Sequence, residues 1–579
     1  MDIGTSGTLP PGRARFRPPL DLESRIKFGR KILKWYERGH ILGPYPEDHP
    51  DVHDIREAPV FTTVKPDGGR RPVSDASARL DDGGPSVNED IKEHSPEKAT
   101  VQYLRLQQIV AVMVLVGVNA WAWAKDLEEG YYNMRVRQDQ IKMVAFKFWT
   151  WIFIPLVLAM GLSSSPNIFT EFMGYVMLAM ATWNHQLTHI TVNNTDLEPL
   201  RIHFPDGAIT PINDDQSEIC TLLYYLDDMF GIMESKLIQR QYRMAQKVLR
   251  FLGLNAQESK DRKPWFIQLI LGLMFDCKRQ CIFIPKEKGM AYIDFANRLL
   301  KKRAITKQEL FSLSGKARHI ALHIPILAAF ARSIEVFGHV DQHGRSIRWK
   351  QRINMNSALR RAIAVLRDAI KRSMTITVPF SRVLRPRDRS ECDLEIFTDA
   401  AGVHGGIGGF TQHNSGSFFQ VRWDDLPLAP HHDIQWKEMI AVYIAMILNI
   451  ETIRNSNITL WCDNQPVVYM LIKCRAKIGR PDLFWIIAKI AALCLDNDIW
   501  PWFEWIEGDI NKTADKLSRF LPDPFAELDQ PPINDQSATA RHHLTHAISA
   551  TTNMSVKIGD CVFDDEQQRR GGSRNGTTN

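Results

Sequence analysis

The sequence predicts an α+β protein of several domains. Short apolar strands that end on aspartates, such as Trp121–Asp126 and Leu394–Asp399, alternate with long amphipathic helices. A length of 579 residues corresponds to about four domains or subdomains at roughly 150 residues each. Hydrophobic and charged contents of 44% and 24% are those of a globular chain.

The formal net charge of +6 permits a polyanionic partner without demanding one. The eight cysteines carry no zinc or disulfide spacing and read as reduced core residues. Residues 1–22, rich in Gly, Pro and Arg, read as a disordered N-terminus, with no apolar segment of a signal peptide. The most apolar run, Ile109 to Ala124, is shorter than the ~20 residues of a membrane span. It reads as a buried helix leading into a strand, so no membrane partner is expected. The polar residues 523–579 read as a disordered tail.

Ser24 to Gly39 has a basic, amphipathic helical pattern. Val60–Val64 and Arg70–Val73 flank Lys65-Pro66-Asp67-Gly68-Gly69 as a basic hairpin. That hairpin is either a solvated surface element or a pair of cations for a triphosphate. Leu158 to Pro166 is a small-residue loop opening a helix over Asn167–Met180. Such a loop is an ordinary cap or an approach for a phosphate or base. Residues 181–215 read as an inserted surface loop. Thr221–Met233 reads as a hairpin with Asp227-Asp228 at its turn, and Ser235–Leu252 as a helix. Leu269–Phe275 and Gln280–Ile284 read as a further hairpin. Residues 286–340 and 346–375 are helical in pattern. From residue 391 the order is three strands, a helix from Asp433, the strand Asn457–Cys462, two helices, the strand Trp502–Ile506 and a short helix, Asn511–Arg519.

Two carboxylate sets stand out. Adjacent Asp227 and Asp228 on an apolar hairpin repel each other and lose hydration. Aspartate is a common turn residue, so a solvated turn is one reading. A site for a hard cation is the other. Asp126, at the end of another strand, completes the second reading if the strands are neighbours. Three short carboxylates can hold two metals ~3.5–4 Å apart for phosphoryl transfer. The second set is Asp399, Glu438, Asp463 and Asp515, two at strand ends and two on helices. It suits attack of water on a phosphodiester.

The segments Asp126-Leu127-Glu128-Glu129-Gly130-Tyr131, Leu158-Ala159-Met160-Gly161-Leu162-Ser163, Tyr225-Leu226-Asp227-Asp228, Lys260 after Gly253-Leu254-Asn255, and Leu271-Gly272-Leu273 resemble successive motifs of reverse transcriptases. The resemblance implies a right-hand polymerase with fingers, palm and thumb. It makes Asp126, Asp227 and Asp228 catalytic metal ligands and Lys260 a proton donor to pyrophosphate. Tyr131 resembles the gate that rejects a 2′-hydroxyl. Lys65 and Arg71 resemble the residues that hold the triphosphate, and Met160-Gly161 the loop beneath the nucleotide. Glu128-Glu129 adds negative charge beside the metal site.

Thr398-Asp399-Ala400, Trp436-Lys437-Glu438, Cys462-Asp463-Asn464 and Asn511 to Arg519 resemble the α/β ribonuclease H domains of retroelements. That implies catalytic, metal-binding roles for Asp399, Glu438, Asp463 and Asp515. Gly39 to Pro44, Lys65-Pro66-Asp67-Gly68, Pro85 to Ile91 and Leu313 to Lys316 are similar to the DIRS-like, tyrosine-recombinase retrotransposons.

The implied layout is fingers and palm over 23–285, with the 181–215 insertion, and thumb over 286–345. A connection follows over 346–390, then a ribonuclease H-like domain over 391–522. The implied activities are RNA-directed DNA synthesis and cleavage of the RNA strand of hybrids. The implied cofactor is Mg²⁺, two ions per site, with Mn²⁺ as a substitute. The implied partners are an RNA template, a DNA primer, the RNA–DNA hybrid and dNTPs, inside the cell in cytoplasm or nucleus. A decayed copy that binds nucleic acid without catalysis is the alternative. An RNA-templated RNA polymerase is disfavoured by Tyr131 and by the attached ribonuclease H-like segment.

Overall fold

The computed structural model describes residues 1–7, 9–13, 20–64, 70–79, 84–183, 221–339, 345–384, 393–402, 404–412, 416–426, 432–477 and 480–562. Almost all of the expected insertion, and Lys65, lie outside these residues. The chain divides into two compact units, Met1–Gln280 and Cys281–Asn579. Among the described residues no helix is long and apolar enough to cross a membrane.

The first unit is built on a four-stranded antiparallel sheet. Its order is Thr221–Tyr225, Asp228–Glu234, Ala120–Asp126, Arg262–Trp265. The helices Leu106–Val116, Ser165–Trp183 and Ile238–Phe251 pack against it. Alternation places Ala120, Ala122 and Ala124 on one face of their strand and Trp121, Trp123 and Lys125 on the other. Trp123 is fully buried, and its indole N–H donates to Gln241 Oε1 at 2.7 Å. That bond locks the helix Ile238–Phe251 to the sheet.

A smaller sheet orders Ile41–Tyr45, Trp151–Pro155 and Phe146–Phe148. The basic helix Leu22–Glu37, capped by Asp21, covers it with Phe28, Ile32 and Trp35. Val60–Val64 and Arg70–Ser74 form the expected hairpin.

Two expectations fail in this unit. The N-terminus is ordered where it is described: Ile3 and Leu9 enter the main apolar core, and Ile3 N–H donates to Gln140 Oε1 at 2.9 Å. Two apolar side chains with a core to join outweigh a loop-like composition. The apolar run Leu269–Phe275 is not one strand. Leu271 and Gly272 take φ of 48° and 78°, so the chain turns back within it and Ile267–Ile270 pairs with Leu273–Asp276. Two consecutive left-handed residues make the tight turn that matches strand twist.

In the second unit, Lys286–Leu300, Lys307–Ile320, Leu327–Glu335 and Ser357–Ser373 pack as a helical group. Thr306 and Glu309 cap the second of these reciprocally. A six-stranded sheet follows in the order Trp500–Trp505, Asn457–Cys462, Leu394–Ala400, Gly406–Gln412, Ser417–Arg422, Asn534–Asp535. The three strands 394–422 are antiparallel, whereas 394–400, 457–462 and 500–505 run parallel. Helices Ile434–Leu448 and Lys512–Arg519 pack on the central strands.

The expected disordered tail is a correction here too. Asn534–Asp535 adds a parallel strand beside Ser417–Phe418, and Ser537–Val562 is a helix. Ala540, Leu544, Ala547 and Ile548 are buried at helical spacing. A polar overall composition hides that stripe.

Candidate catalytic clefts

The first carboxylate set converges through strand register. Asp126 lies directly opposite Asp228 on the neighbouring strand, and Tyr225 opposite Asp228 across the hairpin. Leu226, at φ 52°, makes the turn that presents Asp227. The turn is held by Leu127 N–H donating to Asp227 O at 3.0 Å. One carboxylate oxygen from each of Asp126, Asp227 and Asp228 lies within 4.8 Å of the others.

This crowding has an electrostatic cost. Burial, then the neighbouring carboxylate of Asp126, raises the Asp227 pKa. Burial together with Asp227 and Asp126 pushes Asp228 up to about 7. The nearest cation is Lys260, whose ammonium lies 2.5 Å from Asp126 Oδ2. Burial alone would lower the Lys260 pKa, but the bond to Asp126 and the fields of Asp228 and Asp227 raise it. Three carboxylates crowded this closely fit a hard divalent cation, which would relieve the repulsion.

Around them runs a cleft of about 940 Å³ lined by Arg70, Arg71, Tyr131, Met160, Gly161 and Lys260 among others. Tyr131 packs edge-on against Phe169 with centroids 5.3 Å apart, and burial raises its hydroxyl pKa. Arg71 is close enough for its charge to lower the Asp227 pKa. Gly161 has φ 117°, and a Cβ there would stand 1.8 Å from Ser74 O.

Asn88 is a residue whose part in the site the sequence did not disclose. Its amide donates to Gly161 O at 2.9 Å, and its Oδ1 accepts from Ser163 N–H at 2.7 Å. With Ser74 N–H donating to Met160 O at 2.7 Å, it clips the Met160-Gly161 loop from both sides.

The extra charge of Glu128-Glu129 is largely neutralised. Glu129 pairs with Lys31, with Lys34 at 3.3 Å and with Arg38 at 2.8 Å. Burial alone would raise its pKa, yet Lys31 and Lys34 hold it low. The basic helix Leu22–Glu37 therefore partners this acidic pair.

The second set gathers at the carboxyl ends of two parallel strands. Thr398 and Cys462 are in register, which puts Asp399 and Asp463 side by side. Glu438, in the first turns of its helix, lies close enough to feel the charge of both. One ligand atom each from Glu438, Cys462 and Asp463 lies within 4.8 Å of the others. Burial, then the charges of Asp399 and Asp463, raises Glu438 well above the carboxylate range. Asp399 is pushed up to about 6 by burial, with Asp463 and Asp515 adding to it against a hydrogen bond from Ser518. Asp515 stands beside this group, held by Arg519 Nε at 2.5 Å. Burial raises the Cys462 thiol, and hard cations prefer oxygen, so the fitting donors are the carboxylates. Each set belongs to one unit only.

No protein-family model and no curated protein matches the chain. Solved structures of a foamy viral protease-reverse transcriptase do match. One in complex with double-stranded DNA is 14% identical, covering 87% of this chain and 73% of that one at a TM-score of 0.43. Another with double-stranded DNA is 15% identical, covering 88% and 87%, at 0.42. One with an RNA/DNA hybrid is 14% identical, covering 92% and 59%, at 0.43. Likeness at that level carries no weight by itself, and the function rests on the chain's own residues.

Proposed function

We propose that the chain is an RNA-directed DNA polymerase with an attached ribonuclease H activity. The observation that carries this is the register of Asp126 against Asp228, with Asp227 between them, inside a cleft that also holds Arg71, Tyr131 and Lys260. The retroelement assignment, and its DIRS-like subtype, rests on the sequence motifs.

In this reading the first unit carries fingers and palm. A primer 3′-hydroxyl gives its proton to solvent water as its oxygen attacks the α-phosphorus of a dNTP, the bond from that phosphorus to the α–β bridging oxygen breaks, and pyrophosphate leaves. Mg²⁺ or Mn²⁺ held by Asp126, Asp227 and Asp228 would supply Lewis-acid activation and neutralise developing charge. Arg71 binds the triphosphate as a charged fork. Lys260 protonates the departing pyrophosphate. Tyr131, braced by Phe169, closes the space a 2′-hydroxyl needs. Asn88 and Ser74 hold the Met160-Gly161 backbone under the nucleotide.

The same reading gives the second unit the ribonuclease H step. Asp399, Glu438, Asp463 and Asp515 would hold the cation pair that activates water against the RNA phosphodiester. Ser518 and Arg519 orient Asp399 and Asp515. Binding to template–primer and hybrid runs through phosphates and falls with salt.

The experiment is extension of a DNA primer on an RNA template with Mg²⁺, comparing dNTPs with rNTPs. Incorporation of dNTPs over rNTPs supports the reading. Incorporation of rNTPs alone, or none with either, contradicts it.

A further inference from the structure

Two Lys-Asp steps, far apart in sequence, meet crosswise in the first unit. Lys125 and Asp126 are neighbours on the strand Ala120–Asp126, so their side chains leave on opposite faces. Lys260 and Asp261 are neighbours at the turn entering Arg262–Trp265, which pairs with that strand. Lys260 Nζ meets Asp126 Oδ2 at 2.5 Å in the cleft. Lys125 Nζ meets Asp261 Oδ1 at 2.6 Å behind it.

The rear pair is the better enclosed. The Lys125 side chain is 1% exposed, whereas that of Lys260 is 54% exposed. Tyr242 adds to it twice. Its hydroxyl donates to Asp261 Oδ2 at 2.6 Å, and its ring lies 4.2 Å from Lys125 Nζ. Gln246 in turn donates to the Tyr242 hydroxyl at 3.2 Å. Gln257 N–H, donating to Asp126 O at 2.8 Å, ties the start of the turn to the same strand.

We propose that Lys125, Asp261 and Tyr242 form a buried anchor that positions Lys260 against Asp126. A half-exposed lysine has a long, mobile side chain, and its ammonium is held in place only if its backbone is. The residue directly after Lys260 supplies that hold. Stability alone does not call for such a pair, since apolar replacement of a buried ion pair is often neutral or better. Orientation of a neighbouring group does call for it, because a misplacement of ~1 Å can cost ~100-fold in rate. The anchor is a positioning device, and the inference rests on the polymerase reading of the cleft.

The test is single-turnover dNTP incorporation in two backgrounds, wild type and Lys260→Ala. The paired variant Lys125→Met/Asp261→Leu removes both charges without leaving one buried. It is expected to lower the maximal rate by roughly 10-fold or more and to leave the dNTP KM within about twofold. In the Lys260→Ala background, itself slower by about 100-fold, the pair should cost less than about twofold further. Tyr242→Phe, which leaves the ion pair intact, keeps the test open if thermal unfolding shows the paired variant to be misfolded. It should slow incorporation by roughly threefold, again only when Lys260 is present. An unchanged rate in wild-type background, or the same fold loss in both backgrounds, overturns the positioning role. Absence of incorporation by the wild type overturns the polymerase reading instead.

Discussion

Asp126 and Asp228 face each other directly across neighbouring antiparallel strands, and the hairpin turn places Asp227 beside both. The register fixes this meeting. A slip of one residue would turn Asp228 to the opposite face of the sheet. Charge repulsion is thereby built into the fold, and a divalent cation would relieve it.

The two carboxylate sets sit in separate units and should fail separately. Asp463→Asn is expected to lower RNA cleavage in a hybrid by at least ~100-fold, as loss of several kcal/mol of transition-state stabilisation implies. Primer extension by the same protein should stay within about twofold of wild type. A gel assay of both activities on one hybrid substrate checks it. Retained cleavage removes the second set from catalysis.

Ser518→Ala tests orientation in the second set. The Ser518 hydroxyl donates to buried Asp399. Its loss should slow cleavage by about 10-fold, the worth of one hydrogen bond to a charged group. Folding should be little changed, as thermal unfolding can show. A cleavage rate equal to wild type would contradict the role given to Ser518.

Gly161→Ala should damage the Met160-Gly161 loop proposed to lie under the nucleotide. The backbone there is left-handed, and the new Cβ would stand 1.8 Å from Ser74 O. The strain is ~1–3 kcal/mol, and the loop must move to relieve it. A raised dNTP KM in steady-state extension is the expected readout. Wild-type KM in this variant would show that the loop does not support the nucleotide.

His323 is expected to make the second unit sensitive to acid. It is 1% exposed, and burial lowers its pKa from 6.5 to about 3. The folded state therefore favours the neutral ring. This contribution is fully present above pH 6.5 and is lost as pH falls from there towards 3. The slope from this one group is at most ~1.4 kcal/mol per pH unit. His323→Phe should flatten that part of the profile, measured by denaturant unfolding between pH 4 and 7, conditions set around these values. A slope identical to wild type would show that His323 does not titrate on unfolding.

The legible parts of this chain were those written in short periods. Strand alternation ending on Asp126, Asp399 and Asp463 gave the elements and their carboxylates, and the hairpin pattern gave Asp227 and Asp228. The stripe Ala540, Leu544, Ala547 and Ile548 was equally periodic, but the polar composition around it pointed to disorder. The reversal at Leu271-Gly272 had a signal in its glycine, obscured by the apolar run. Asn88 on Gly161 and Lys125 on Asp261 were not legible, since each joins segments far apart in sequence. Pairing of that kind depends on which strands become neighbours, which no local pattern states.

The most direct test of the whole account is primer extension on an RNA template with dNTPs and Mg²⁺ by wild type and Asp227→Asn. The wild type should extend the primer, and the variant should be slower by at least ~1000-fold, with hybrid cleavage by the second unit retained. Equal extension by the two proteins would contradict the assignment of Asp126, Asp227 and Asp228 as the centre of the polymerase.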